Sequence, residues 1–593
     1  MDATWTIGII CIGITVVVGG ILALRLHAFL ALTFGALTVA LLTPRAATEN
    51  YLVGKDAVEV KSVEADGGRF TFQLQGKTKA VKKKLKPADG DAYVIVGWAK
   101  AGSPYSTLAY LTEVRLLPGD KDAPQTTIQG NVTIPIPGDA SENSHQEIID
   151  AGIQAVTEKD AKIGVIHRSA FNSAIGVSGQ TIATKVAEGF GNTAMKIGIL
   201  IAMASIVGKC LLDSGAADRI VRSTLKVCGE RFAPVSFVVS GFLLGIPVFF
   251  DTVFYLMIPL GKAMQLRLGK NYLLFVLTIV AGATMAHSLV PPTPGPLLVA
   301  GELGVDIGMM ILMGIIIGFF PAAFGYFYAA WFANKRWTLP LRESAEFSMK
   351  DLEELAQRDE SQLPPFWLSV LPIILPVLLI GGGTLFSTLK NAGVFVPGNS
   401  MQQAIDTFGD KNIALIISAI IAMVTLIRTR GITRQQLSES VGAALASGGT
   451  IILITSAGGA FGQVLQNTGV AALIEGISLE SPAAIITVAW LITAAIRTAQ
   501  GSATVAMITA VGILGGLASG GNLGFHPVYL AVAIGCGSKP IAWMNDSGFW
   551  VITRMSGMTE AEGLKYVTPM TTLMGVVGLV ATIVAATLFP MAG

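Results

Sequence analysis

Two apolar runs open the chain, Trp5–Leu24 and Ala28–Leu42, with Arg25 and His27 in the tight turn between them. Each is long enough, or nearly so, to cross a hydrocarbon core about 30 Å thick. No basic stretch precedes the first, which predicts an uncleaved span rather than a signal peptide. From residue 51 to 136 the period changes to two. Runs such as Ala57–Val63 and Arg69–Leu74 alternate apolar with polar and are punctuated by Asp66-Gly-Gly and Asp89-Gly-Asp. This predicts a small β-barrel or β-sandwich. Residues 140–190 read as helix plus linker. Apolar segments then resume at Gly191–Leu212 and recur at 233–266, 272–300, 305–333, 364–386, 411–428, 440–467, 481–519, 526–552 and 566–590. The polar stretch 334–363 divides them. The pattern predicts an all-α polytopic membrane protein of about ten spans with a β-rich extramembrane insert. Its parts are two N-terminal spans (1–44), the insert and its helical linker (45–190), a first half (191–333), a linker (334–363) and a second half (364–593).

Composition sharpens this. Of 593 residues 52% are hydrophobic and only 13% charged, about half the usual charged share. The 41 Lys/Arg and 39 Asp/Glu are also clustered: residues 45–168 hold 32 of them and residues 332–362 hold 12. The remainder needs lipid as its solvent, which excludes a soluble enzyme, a nucleic-acid binder and a disordered chain. Four scattered cysteines suggest neither a disulfide framework nor a zinc site. The six lysines of Lys77–Lys86 read first as a solvated strand face and second as a patch for phosphate or lipid.

The two halves repeat one another. Gly208-Lys-Cys-Leu-Leu-Asp-Ser-Gly215 matches Gly462-Gln-Val-Leu-Gln-Asn-Thr-Gly469. Each motif ends an apolar helix. Each is followed by a short amphipathic stretch and a Pro-led apolar segment, from Pro234 and from Pro482. Those segments are interrupted by Gly245-Ile-Pro-Val-Phe-Phe-Asp251 and by Gln500-Gly-Ser-Ala-Thr504. The next helix is interrupted in turn, by Ala286-His-Ser-Leu-Val-Pro-Pro-Thr-Pro-Gly-Pro296 and by Gly535-Cys-Gly-Ser-Lys-Pro-Ile-Ala-Trp-Met-Asn-Asp-Ser-Gly548. Interruptions at corresponding places in two halves point to a transporter's binding site at the membrane midplane. Basic residues orient the halves. Ala216–Phe232 carries Arg219, Arg222, Lys226 and Arg231, whereas Val470–Glu480 carries only Glu475 and Glu480. The repeat therefore reads as inverted, with both termini and the insert outside the cytoplasm.

These motifs resemble those of the gluconate permease (gluconate:proton symporter) family of the ion-transporter superfamily. The resemblance covers 1–44 and about 183–593 and rests on Gly501-Ser-Ala-Thr-Val-Ala-Met-Ile-Thr-Ala510, Asn545-Asp-Ser-Gly-Phe-Trp550, His287 with Pro291–Pro296, and Phe249-Phe-Asp-Thr-Val-Phe254. It implies import of gluconate or a related sugar acid or hydroxy-carboxylate by proton symport in a bacterial-type inner membrane. It implies two re-entrant hairpins, two broken helices, a scaffold that forms a homodimer, elevator-like movement and no cofactor beyond the coupling ion. This chain departs from the family at Thr293, where a His is usual, at Ser547, where a Pro is usual, and in its large insert, a surface open to a partner not yet identified.

The hairpin tips and helix breaks carry the candidate chemistry. Gly501, Ser502, Ala503 and Thr504 are small and leave backbone N–H groups accessible to a carboxylate; the alternative is close helix packing. Arg497 lies about one turn earlier. A charge at mid-bilayer costs roughly 2.5–3.5 kcal/mol on insertion scales, so Arg497 either binds the substrate anion or pairs with Asp251 or Asp546. His287, Thr293, Gly295 and Asn545 are further candidates to line the substrate, and Lys539 to attract an anion or snorkel. Asp251 and Asp546 are the proton-coupling candidates, with hydrogen-bonded structural roles as the alternative. Na⁺ coupling to a small carboxylate, or a sensor that uses the insert, remain competing functions. No nucleophilic dyad or metal motif argues for an enzyme.

Overall fold

The computed structural model describes residues 3–66, 69–74, 85, 93–98, 105–117, 127–133, 162–342, 362–391, 398–469, 481–519, 523–544 and 546–591. The lysine run 77–86 apart from Leu85, the polar pattern at 351–358, the stretch 470–480 and Asn545 lie outside these residues. The chain divides into two compact units.

The first unit comprises 1–16, 35–187 and 463–478 and is built on a closed six-stranded barrel. Strands β1 (Val58–Asp66), β2 (Arg69–Leu74), β3 (Tyr93–Trp98), β4 (Tyr105–Leu117), β5 (Thr127–Thr133) and β6 (Lys162–His167) run in the order β1-β2-β5-β4-β3-β6. Every ladder is antiparallel, so no edge is left open. Two features depart from the sequence reading. A helix, Arg45–Asp56, precedes the strands. Residues 162–167, expected as helix or linker, instead form β6 and close the barrel by pairing with both β1 and β3. Six residues containing Gly164 give a weak period-two signal. Glycine is needed there because a Cβ would lie 2.9 Å from Ala57 Cβ and 3.1 Å from the Trp98 ring. The core is Val53, Val94, Val96, Ile166, Phe171 and Ala174. Beside it Glu49 accepts hydrogen bonds from Tyr105 Oη (2.6 Å) and Ser178 Oγ (3.0 Å).

The second unit comprises 17–34, 188–462 and 479–593. Among the described residues seven helices are long and apolar enough to cross a membrane, eight if the bent pair Ala28–Leu42 and Arg45–Asp56 is one span. Several of the apolar stretches are pairs of shorter helices, as the interruptions in the sequence suggest. Stretch 233–266 becomes α7 (Ala233–Gly245) and α8 (Phe250–Leu268). Stretch 481–519 becomes α16 (Pro482–Gln500) and α17 (Ala503–Ser519). Stretch 526–552 becomes α18 (Pro527–Gly537) and part of α19 (Ser547–Ser556). Between α9 (Tyr272–Leu289) and α10 (Pro294–Glu302) the chain is likewise broken. A helix of 13 residues is only about 20 Å long, too short to cross the hydrocarbon core.

The paired motifs fold alike. Two helices of 33 residues, α5 (Ile182–Ser214) and α15 (Arg434–Gln466), lead into them. Gly215 and Gly469 both take left-handed backbone, φ 81° and 80°, a conformation that suits glycine. Their N–H groups donate to Leu212 O and Gln466 O, each at 3.0 Å. Ser214 and Thr468 hydroxyls donate to the carbonyls of Leu211 and Leu465. In both halves the first arm of the interrupted segment packs on the first part of the broken helix, α7 on α9 and α16 on α18. Backbones touch there. A Cβ on Gly245 would meet Ala283 O at 2.9 Å, and one on Gly537 would meet Trp490 O at 2.6 Å. Small residues are the means of close helix approach in lipid.

Candidate functional site

Four helix N-termini converge in the second unit, and they do so crosswise. The tip between α7 and α8 meets the break between α18 and α19. A Cβ on Gly548 would lie 3.3 Å from the Phe250 ring, and α8 packs on α19. The tip between α16 and α17 meets the break between α9 and α10. A Cβ on Gly295 would run into Met507 Cε and lie 3.8 Å from Thr504 Cα, and α10 packs on α17. The broken helices touch as well, with a Cβ on Gly535 reaching Ser288 O at 2.7 Å.

The two pairs of N-termini differ in charge. Asp251 stands in the first turn of α8, and Asp546 caps α19 by accepting from Gly548 N at 2.9 Å. The two residues flank the contact between Phe250 and Gly548. The first turns of α10 and α17 hold no acidic residue. A helix N-terminus carries about half a positive charge. One pair is thus matched by side-chain carboxylates and the other is left positive.

Arg497 binds the second tip to the second break. It is 4% exposed. Its Nε donates to Ser538 O at 3.0 Å, Nη1 donates to Gly501 O, and Nη2 is ion-paired with Asp546. The guanidinium therefore fixes the tip, the break and the N-terminal cap of α19 together. Of the two aspartates offered as partners of Arg497, the one paired with it is Asp546. Gly501 has φ 88° and Ser502 caps α17, accepting from Val505 N at 3.3 Å.

The remaining candidates divide. Thr293 is buried and its hydroxyl donates to Val290 O at 2.8 Å, so the side chain closes the break. Pro294 and Pro296 lack N–H groups, which leaves Gly295 as a backbone donor in the first turn of α10. The His287 ring packs edge-on against Phe249, centroids 6.2 Å apart, and its Nδ1 is buried with no hydrogen-bond partner among the described residues. Asn545 lies outside the described residues. Lys539 does not snorkel: it is 6% exposed and its Nζ donates to Thr284 O on α9 at 3.1 Å. The sequence reading missed Thr568 and Thr572. On α20 (Glu560–Leu588) they hold the second break by a Thr568 hydroxyl bond to Ala542 O and a 3.0 Å bond from Ile541 N to Thr572 Oγ1. Two hydroxyls one turn apart on an apolar helix were the available signal.

Half-helices whose N-termini meet inside an apolar helical bundle recur at the binding sites of many secondary transporters. Residues 165–588 match the family model of the GntP family permeases, and the chain belongs to that family: it is a membrane permease, not an enzyme. It is 34% identical over 409 residues to the gluconate permease of Pseudomonas aeruginosa, covering 68% of this chain and 88% of that one. It is 33% identical to the gluconate permease of Zymomonas mobilis, covering 67% and 85%. The fold is similar to the crystal structure of the Alcanivorax borkumensis YdaH transporter, with TM-score 0.50 at 12% identity, covering 69% of this chain and 89% of that one.

Proposed function

We propose that this permease imports gluconate or a closely related sugar acid or hydroxy-carboxylate by proton symport across a bacterial inner membrane. The observation that carries the reading is the acid-free pair of helix N-termini at α10 and α17, beside Arg497. The substrate carboxylate sits on the N–H groups of Gly295, Ala503 and Thr504, and Ser502, Thr504 and His287 meet its hydroxyls, with Asn545 kept as a further candidate from the sequence. Arg497 adds its field through the contacts that hold tip and break in register. The relatives named gluconate permeases support this substrate class.

Asp251 is the proton carrier in this reading. Asp546 is held as the partner of Arg497, whereas Asp251 has no ion pair among the described residues. A half-buried carboxyl with no cation paired to it is cheaper to hold neutral than a fully solvated one. Movement is of the elevator kind, with the two hairpins and broken helices travelling against a dimeric scaffold. An apolar fissure lined by Pro247, Pro291 and Pro292 on one side and Ile373, Pro376 and Ile380 on the other supplies a greasy sliding surface. The halves are related by an inverted repeat, with the barrel outside the cytoplasm. Thermal-shift screening of purified protein tests the substrate class. Gluconate and other sugar monocarboxylates should raise the melting temperature, and the neutral aldoses should not. Equal shifts by the two sets would overturn it.

A further inference from the structure

The end of α11 (Ile307–Phe327) and the start of α20 carry side chains that the transport reading does not use. The two helices run antiparallel. A Cβ on Gly325 would lie 2.9 Å from Met574 Sδ, and one on Gly578 would lie 3.8 Å from Pro321 Cγ. The last turns of α11 and the first turn of α20 therefore reach the same end of the bundle. There α11 runs on as a π-helical segment, Tyr328–Ala333, and a final turn, Asn334–Arg336. Such wide winding is frequent at functional sites.

A ladder of rings joins the two helices. Tyr328 stacks on Phe332 (centroids 5.2 Å apart), Phe332 on Trp337 (5.5 Å) and Trp337 on Tyr566 of α20 (5.2 Å). Two cations rest on this ladder. The Arg336 guanidinium carbon is 4.0 Å from the centre of the Phe332 ring. Lys565 Nζ is 5.1 Å from the centre of the Trp337 ring and 5.7 Å from that of Tyr566. An aromatic face attracts a cation through its quadrupole but leaves the charge in place. Lys335 is exposed next to Arg336. The acids nearby in sequence do not offset these charges. Glu562 is taken by Arg342, whose two Nη atoms donate to it at 2.6 and 3.0 Å. Glu560 is five residues from Lys565, about 140° round the helix. Among the described residues Lys335, Arg336 and Lys565 make no ion pair. Farther from the helix end, Phe327 and Trp331 stack with centroids 5.1 Å apart and stand 45% and 67% exposed.

We propose that this junction is a binding site for an anionic phospholipid, with the phosphodiester on Lys335, Arg336 and Lys565 and an acyl chain along Phe327 and Trp331. The order of groups along the helix matches that of the lipid. Cations stand at the end of a span, where basic side chains attract anionic headgroups. Exposed aromatic rings follow at the depth where Trp is enriched in membrane proteins, and the apolar helix lies beyond them. A zwitterionic lipid brings its own cation to the phosphate and gains less from three unpaired positive charges. Because the cations come from both helices, one headgroup ties the end of α11 to the start of α20. The site includes no residue of the half-helix junction and does not depend on what the permease carries.

The test uses full-length protein purified in a mild detergent. Dioleoyl phosphatidylglycerol should raise the melting temperature by about 4 °C or more. The same amount of dioleoyl phosphatidylcholine, or of inorganic phosphate, should not. Lys335→Gln/Arg336→Gln/Lys565→Gln should lose most of the phosphatidylglycerol shift, measured against its own lipid-free melting temperature. A second measurement needs no charge variant. Phosphatidylglycerol brominated on its acyl chains should quench tryptophan fluorescence more than brominated phosphatidylcholine, and Trp331→Phe should remove most of that excess. If the triple variant does not fold, this measurement decides. Equal shifts by the two lipids, or a folded triple variant that keeps the whole shift, overturn the proposal. So does equal quenching by the two brominated lipids, or an excess that survives in Trp331→Phe. A shift as large with inorganic phosphate assigns the cations to a free anion and overturns the lipid site. The transport reading stands under each of these outcomes.

Discussion

The Arg497 guanidinium is ion-paired with Asp546 across the junction of a hairpin tip and a helix break, with side-chain exposures of 4% and 14%. A buried pair of this kind contributes little as a pair, but removing one partner strands the other charge. Arg497→Ala should therefore destabilise the purified protein by about 3–5 kcal/mol and abolish uptake. Arg497→Lys should also fail, because an ammonium cannot reach Ser538 O, Gly501 O and Asp546 at once. Chemical unfolding and uptake on the same preparations measure both effects. Stability unchanged in Arg497→Ala would show that the pair is not structural.

Asp251→Asn separates proton coupling from anion recognition. It should lose net uptake driven by a pH gradient by at least tenfold, yet exchange internal for external labelled gluconate. Its gluconate affinity should also cease to vary with pH. Counterflow assays at two pH values read this directly. Wild-type pH dependence in the variant would move the proton elsewhere.

Gly295 faces Met507, and a Cβ there would overlap Met507 Cε. Gly295→Ala should cost about 1–3 kcal/mol through overpacking and raise the KM for uptake. Adding Met507→Ala should restore part of both. A double substitution no better than Gly295→Ala alone would show that the glycine is needed for its backbone rather than for space.

Ser502 caps α17, at the N-terminus assigned to the substrate carboxylate. Ser502→Ala should cost about 1 kcal/mol and weaken gluconate affinity severalfold with little change in maximal rate. Ser481→Ala removes the equivalent cap from α16, where Ser481 Oγ accepts from Ala484 N at 3.2 Å. It should destabilise by a similar amount and leave affinity unchanged. The contrast between the two isolates a binding role from a structural one.

The orientation of the barrel is open to labelling. In a background without native cysteines, Lys79→Cys should react with an impermeant thiol reagent in intact cells. Protection there, with labelling only after lysis, would place the insert in the cytoplasm and reverse the orientation of both halves.

Much of the site was legible because it is written in local exceptions. Prolines and glycines inside apolar runs mark the two breaks, and Asp251, Arg497, Lys539 and Asp546 stand out against a background almost free of charge. The glycines of the repeated motif, Gly215 and Gly469, foretold two helix ends of the same geometry. What could not be read was long-range pairing. No spacing reveals that Phe250 lies against Gly548, or Gly295 against Met507, since these contacts join opposite halves of the chain. For the same reason Arg497 stayed ambiguous until its three acceptors were visible, and Lys539 could not be told from a snorkelling lysine. Strand β6 was missed because a six-residue strand far from its partners has too little pattern of its own.

Proton symport means that a pH gradient alone drives a sugar acid through this permease. The most direct measurement is gluconate uptake into proteoliposomes under three conditions: an imposed pH gradient, a Na⁺ gradient of equal size at uniform pH, and no gradient. Proton symport gives transient accumulation above equilibrium with the pH gradient alone. Accumulation driven by Na⁺ at uniform pH, with none driven by the pH gradient, would contradict it.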